Sequence, residues 1–131
     1  MAALPVTTLA TGLLGLLLVV LSFRVIAVRR AGQVSLGTGG NPLLEKRMRS
    51  HANFCEYVPF CLLLLGLAEA GAALPTPALQ ALAALLVVAR LSHPFGLEGA
   101  GMAFRMVGMI GTFTVVIIGS ITLLLRASGV V

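Results

Sequence analysis

The chain reads as four long apolar runs separated by short polar breaks. The first covers about residues 4–28, with its longest apolar stretch between Leu9 and Leu21. The second begins behind Asn41 and Pro42, a good N-cap followed by a residue suited to the first helical position, and runs to about Ala70. The third occupies about residues 78–93 and is expected to stop near Pro94 and Gly96. The fourth spans about 101–125. A helix crosses the hydrocarbon layer in roughly 20 residues. Within lipid, every backbone N–H and C=O of an open segment must be paired inside that segment, which a helix does. The pattern therefore predicts an all-α membrane protein, a four-helix up-and-down bundle forming one domain over residues 1–131.

The breaks carry little chemistry. Residues 31–40 (AGQVSLGTGG) include Gly37-Thr38-Gly39-Gly40, but no strand precedes this run and no Gly-Lys-Ser/Thr follows, so it reads as a loop rather than a phosphate cradle. Residues 71–77 (GAALPTP) read as a turn.

Composition agrees with lipid as the solvent. The 131 residues are 59% hydrophobic and only 10% charged, with a mean hydropathy of +1.09. A soluble domain is about 25% charged, so a water-soluble enzyme is excluded. The formal net charge of +5 would suggest nucleic acid in a soluble chain. Here six of the nine Lys/Arg lie between Arg24 and Arg49, without interleaved aromatics, so they read as topology signals and no nucleic-acid partner is expected. That rule predicts both termini outside and loops 29–42 and 93–101 cytoplasmic, with Arg126 the only opposing cation. No positive charge precedes the first run, so it is expected to be a retained span rather than a signal peptide.

Cys55 and Cys61 lie six positions apart, about 120° around a helix, which rules out pairing between them; both read as small core residues. Small residues recur in the fourth run at Gly108, Gly111, Thr112, Gly119 and Ser120, as close helix packing requires. Asp is absent, and the His, Cys and Glu positions show no metal-ligand spacing, so no metal is expected.

The informative positions are polar residues inside the second run. An ionisable group in a span costs about 2.5–3.5 kcal/mol on insertion scales and marks a bundle interior or a wet cavity. Arg49, Asn53 and Glu56 follow an i, i+4, i+7 spacing that puts them on one helix stripe. Tyr57, the only tyrosine, adjoins them, and Pro59 follows. A cation, an amide and a carboxylate in a row suit a ligand with carboxylates, peptide groups and an ammonium, the arginine fork matching a carboxylate. Two other readings stay open. An ion pair of Glu56 with Arg49 or Arg90 would simply fix the bundle, and a proton relay through Glu56 would suit a small proton-coupled transporter. Arg90 and Arg105 lie at the same depth; Arg90 taken alone reads as snorkelling to the interface. Together with Arg49 they make a positive surplus that an anion would relieve. His51 falls on the far side of the second helix from Glu56, toward another element or a neighbouring subunit, and His93 ends the third run.

The stretch Arg49-Ser50-His51-Ala52-Asn53-Phe54-Cys55-Glu56-Tyr57-Val58-Pro59 resembles the second-helix signature of the MAPEG family, the membrane-associated proteins in eicosanoid and glutathione metabolism. Val28-Arg29-Arg30-Ala31 and Ala89-Arg90-Leu91 agree with it, and the four-span layout extends the resemblance over nearly the whole chain. The resemblance implies a homotrimer of four-helix protomers in a bacterial inner membrane, binding glutathione between subunits near the cytoplasmic face. It implies glutathione contacts from Arg49, Asn53, Glu56 and Tyr57, with Arg90 and His93 at the same site. Arg29 or Arg30 and His51 would come from the neighbouring subunit, and Arg105 would act catalytically by stabilising the glutathione thiolate. The implied activity is that of a glutathione transferase or peroxidase, whose thiolate attacks a lipophilic electrophile or hydroperoxide arriving from the bilayer. The chain departs from the family's synthases at His93 and Leu97, where they carry tyrosines, and at His51, where they carry glutamine. A non-catalytic bundle with a structural polar stripe remains the alternative at this point, and a small transporter the second.

Overall fold

A computed structural model describes residues 4–130. They form four helices: α1 (Pro5–Ala31), α2 (Pro42–Ala70), α3 (Thr76–Glu98) and α4 (Met102–Ala127). Each is long and apolar enough to cross a membrane. With a rise of about 1.5 Å per residue, α2 is roughly 44 Å long and projects beyond a hydrocarbon layer of about 30 Å. The surplus lies at its charged start, Glu45–Arg49.

Connections of ten, five and three residues join consecutive helices, which run antiparallel. α2 and α3 form the middle of the bundle, and α1 and α4 flank it without touching each other among the described residues. The core is built from Leu14 and Leu21 of α1, Phe54, Val58, Cys61 and Leu65 of α2, Leu79, Leu82 and Leu86 of α3, and Val115 of α4. The other faces are covered with exposed apolar side chains such as Leu16, Phe60, Ile117 and Leu124. That is the expected inversion for a protein in lipid, where exposed leucine costs nothing.

α3 and α4 share the closest contact, and the small residues of α4 explain it. A methyl group on Gly111 would lie 2.8 Å from Cβ of Ala89, and one on Gly108 would lie 2.7 Å from Cβ of His93. Both glycines are therefore needed where the backbones approach, as the spacing in the fourth run anticipated.

Two element ends differ from expectation. α3 passes Pro94 and Gly96 and stops only at Gly99, which takes a φ of 117°. Proline removes one backbone hydrogen bond, but tertiary packing against α4 sustains the helix through it. α1 continues from Val28 through Arg29 and Arg30 to Ala31, closed by the Gly32 amide on the Val28 carbonyl and the Gln33 amide on the Arg30 carbonyl. The cysteines also divide: Cys61 is core, whereas Cys55 is exposed.

Glutamates tie the two ends of the bundle. At the charged end, Nη2 of Arg24 bridges both carboxylate oxygens of Glu98 at 2.6 Å. Nε of Arg47 lies 3.6 Å from the same carboxylate, and its Nη1 donates to the Arg24 carbonyl at 3.0 Å. α1, α2 and α3 are thus joined by one cluster. At the opposite end Leu4 occupies the N-cap of α1 and has no side chain able to cap it. Glu69 of α2 supplies the missing acceptor, taking the Val6 amide at 2.9 Å and the Thr7 amide at 2.8 Å. A carboxylate placed there also meets the positive end of the helix dipole.

Replacing Glu69 by alanine is expected to lower stability by about 1–2 kcal/mol, the usual worth of a lost cap. Thermal unfolding of the detergent-purified protein reads the loss. Amide exchange at Val6 and Thr7 should accelerate while exchange in α4 stays unchanged.

Candidate functional site

Pro42 and Asn41 set the register of the second helix, Asn41 accepting the Leu43 and Leu44 amides at 3.0 and 3.1 Å. From that start, Arg49, Asn53, Glu56 and Tyr57 fall on the side of α2 turned toward α3 and α4. They line a cavity of about 250 Å³ together with Arg90, His93 and Leu97 of α3, and Arg105, Met109, Thr112 and Phe113 of α4. Tyr57 closes one wall by an edge-to-face contact with Phe113, the ring centroids 5.7 Å apart.

Arg90 organises the cavity. It is 2% exposed, so the snorkelling expected of it does not occur. Nη1 donates to Oδ1 of Asn53 at 2.8 Å. Nη2 donates to the Gly108 carbonyl at 2.8 Å and to Oγ1 of Thr112. The Thr112 hydroxyl passes its own hydrogen to the same Gly108 carbonyl at 2.7 Å. One guanidinium therefore joins α2, α3 and α4. Because Asn53 accepts through its oxygen, its amide NH2 is left free to donate.

Close packing brings in His93 of α3 and Arg105 of α4. Gly108 lets His93 approach α4, and Gly96 lets the Arg105 backbone approach α3, since a methyl on Gly96 would lie 2.9 Å from Cβ of Arg105. His93 is 5% exposed. Arg49, Glu56 and Arg105 are exposed, and Asn53 and Tyr57 half-buried. The anticipated ion pairs of Glu56 with Arg49 or Arg90 are not formed; the ion pairs among the described residues belong to Glu98. The cavity thus holds three guanidinium groups against one carboxylate.

The remaining expected contacts lie elsewhere in the protomer. Arg29 and His51 line a second cavity of about 390 Å³ between α1 and α2, with Ser22 and Met48. Nη1 of Arg29 donates to the Gly37 carbonyl at 3.1 Å, holding the first loop. His51 faces α1, its Nε2 3.0 Å from Oγ of Ser22. Arg30 is exposed at the end of α1 and joins neither cavity.

Sequence reasoning missed Thr112 as a polar member of the site, treating it as packing, and overlooked Glu98 and Glu69. The available signal was scarcity: with four acidic residues in the whole chain, each needs a partner in lipid.

Comparison with known proteins follows the same direction. A profile of the MAPEG family matches residues 7–125. The chain is 32% identical over 108 residues to the inner membrane protein YecN of Escherichia coli K12, covering 82% of each chain. It matches YecN of Escherichia coli O6:H1 (strain CFT073) with the same identity and coverage. No solved structure matches the chain significantly.

Replacing Arg90 by methionine should be strongly destabilising, by about 3 kcal/mol, because hydrogen bonds to a charged group are worth roughly 1.5–3 kcal/mol and Asn53 loses its partner. Arg90→Lys keeps the charge without the fork and should recover only part of the loss. Denaturation of the purified protein, followed by helical circular dichroism, measures both.

Proposed function

The chain belongs to the MAPEG family, and from that premise we propose that it binds glutathione in the α2–α3–α4 cavity and activates its thiol. In this reading it is an inner-membrane glutathione transferase or peroxidase. The observation that carries the reading is the unbalanced charge of the cavity. Arg90 is consumed by the fold, but Arg49, Glu56, Arg105 and the Asn53 amide have no side-chain partners among the described residues. Glutathione carries two carboxylates, an ammonium and two peptide groups. Arg49 suits a carboxylate, Glu56 the ammonium, and Asn53 a peptide carbonyl. His93 and Tyr57 complete the polar wall.

A cavity of about 250 Å³ is small beside the roughly 300–1,000 Å³ of ordinary ligand sites. Exposed Glu56 and Arg105 would also meet hydrocarbon at a cost of about 2.5–3.5 kcal/mol each on insertion scales. A neighbouring copy covers both, and a homotrimer with Arg29 or Arg30 and His51 contributed across the boundary supplies the remaining surface. The charged end carries every Lys and Arg except Arg126, which orients it toward the cytoplasm, with loops 29–42 and 93–101 on that side and both termini outside.

The chemistry follows from the thiol. Only the thiolate is a good nucleophile. The Arg105 guanidinium beside the sulfur favours the charged form, the more so where water is scarce. The apolar α4 side chains Met109 and Phe113 border the cavity and give a lipophilic electrophile or hydroperoxide a route from the bilayer. Attack by the thiolate on an electrophilic carbon yields a thioether; attack on the hydroperoxide breaks its O–O bond and yields the alcohol and a glutathione sulfenic acid, which a second glutathione converts to the disulfide and water.

Two outcomes are expected. Millimolar glutathione should raise the melting temperature of the detergent-purified protein, a ligand at 100 times its Kd contributing about 2.7 kcal/mol, and Arg49→Ala should abolish the rise. A folded wild-type protein that shows no shift overturns the reading. Arg105→Ala should keep the thermal shift yet lower conjugation of a model electrophile by roughly 100-fold, the typical cost of losing one charge-stabilising group.

A further inference from the structure

Arg105 has little local structure to hold it in place. It lies in the opening turn of α4, whose N-cap is Gly101 and which has no side-chain cap. The connection before it is Gly99-Ala100-Gly101, and both glycines take positive φ angles, 117° and 114°. Such a connection constrains the entry of α4 weakly, because glycine reaches many conformations at little cost. The height of Arg105 is set instead by α3. A methyl on Gly96 would lie 2.7 Å from Cα of Arg105, so the two backbones bear directly on each other there.

The last turn of α3 needs support of its own. It follows Pro94, which has no amide to donate to the Arg90 carbonyl. At its end stands Glu98, a negative charge at the negative end of the helix dipole, which is locally unfavourable. The compensation comes from two other helices. Nη2 of Arg24 in α1 donates to both carboxylate oxygens at 2.6 Å, and Nε of Arg47 in α2 lies 3.6 Å from one of them. Arg47 also donates to the Arg24 carbonyl at 3.0 Å. All three side chains are partly buried, so water and salt screen them less than a surface pair.

We propose that Glu98 is a positioning residue for Arg105: clamped by Arg24 and Arg47, it holds the final turn of α3 as the surface that seats the thiol-activating guanidinium. The role of Arg105 in this statement rests on the glutathione reading of the cavity. Its placement rests on the contacts above. Glu98 does not line that cavity, so it touches neither thiol nor electrophile and acts through Gly96 and Arg105. Arg49, Asn53 and Glu56 have a separate support, a helix start that Asn41 caps. Binding therefore belongs to α2, and activation depends on the end of α3 being in place.

Glu98→Gln keeps the shape of the side chain and removes its charge, and two measurements on the purified full-length protein test the proposal. The first uses no glutathione. Amide exchange at residues 106–109, whose helical acceptors lie in the opening turn of α4, should accelerate about tenfold, in line with losing a hydrogen bond to a charged group. Exchange at residues 47–53 of α2 should stay near the wild-type rate. In the second, glutathione should still raise the melting temperature of Glu98→Gln, while the ultraviolet absorbance of the bound thiolate moves to higher pH, toward the ordinary thiol value of about 8.5. Conjugation of a model electrophile should then lose about tenfold in kcat at neutral pH, the equivalent of one unit in the thiol pKa, with KM for glutathione unchanged. The loss should disappear at a pH where the thiol ionises unaided. Arg24→Ala should reproduce both effects, and the two substitutions together should do no more than either alone. Unchanged exchange at 106–109, or an unmoved thiolate profile in a folded variant, overturns the proposal. A wild type that shows no thermal shift overturns the glutathione reading instead, and the exchange measurement still decides whether Glu98 holds α4.

Discussion

The bundle depends on one buried cation. Arg90 is almost fully enclosed, and a guanidinium in that setting must satisfy its donors or carry a heavy desolvation cost. Its two terminal nitrogens do so with neutral acceptors from two neighbouring helices, the Asn53 side chain, the Gly108 carbonyl and the Thr112 hydroxyl, while Nε finds no partner among the described residues. This fixes the relative height of α2, α3 and α4, and the glycine at position 108 is part of the same requirement. A side chain there would push away both the carbonyl and His93. The cavity beside Arg90 is the space left once those three helices are held.

The remaining charges separate by what they touch. Arg24, Arg47 and Glu98 bind one another at the charged end, and Glu69 is spent on the amides of α1. These groups hold the scaffold, and their partners come from helices distant in sequence. Arg49, Glu56 and Arg105 have no such partners among the described residues, although they line the same cavity. In water such groups would be unremarkable surface charges. In a span they need a ligand, a neighbouring subunit or both, which is why the site can be read from what is left unpaired.

α2 carries polar side chains on two different faces. Its Arg49–Asn53–Glu56 stripe turns toward α3 and α4, while His51 turns toward α1. The motif spacing made the first face legible, since i, i+4, i+7 is a stripe on any helix. The second face could not be read the same way. His51 looks unexceptional until Ser22, from another helix, is seen 3.0 Å from its Nε2. Arg29 and His51 were expected at the first cavity through a neighbouring subunit, and within the protomer they stand together at the second.

Sequence alone determined the four spans, the N-cap of α2, the concentration of charge at one end and the polar stripe, because each is a local property of helix periodicity and of the cost of charge in lipid. It misplaced the end of α3, where packing against α4 carries the helix past Pro94 to Gly99. Tertiary structure alone decided that Arg90 is a buried tie rather than an interfacial anchor, that Glu98 rather than Glu56 forms the ion pairs, and that Glu69 caps α1. Those outcomes depend on which side chains meet across helices. Hydrophobic pattern specifies which face is buried, but not the axial height at which two helices lock.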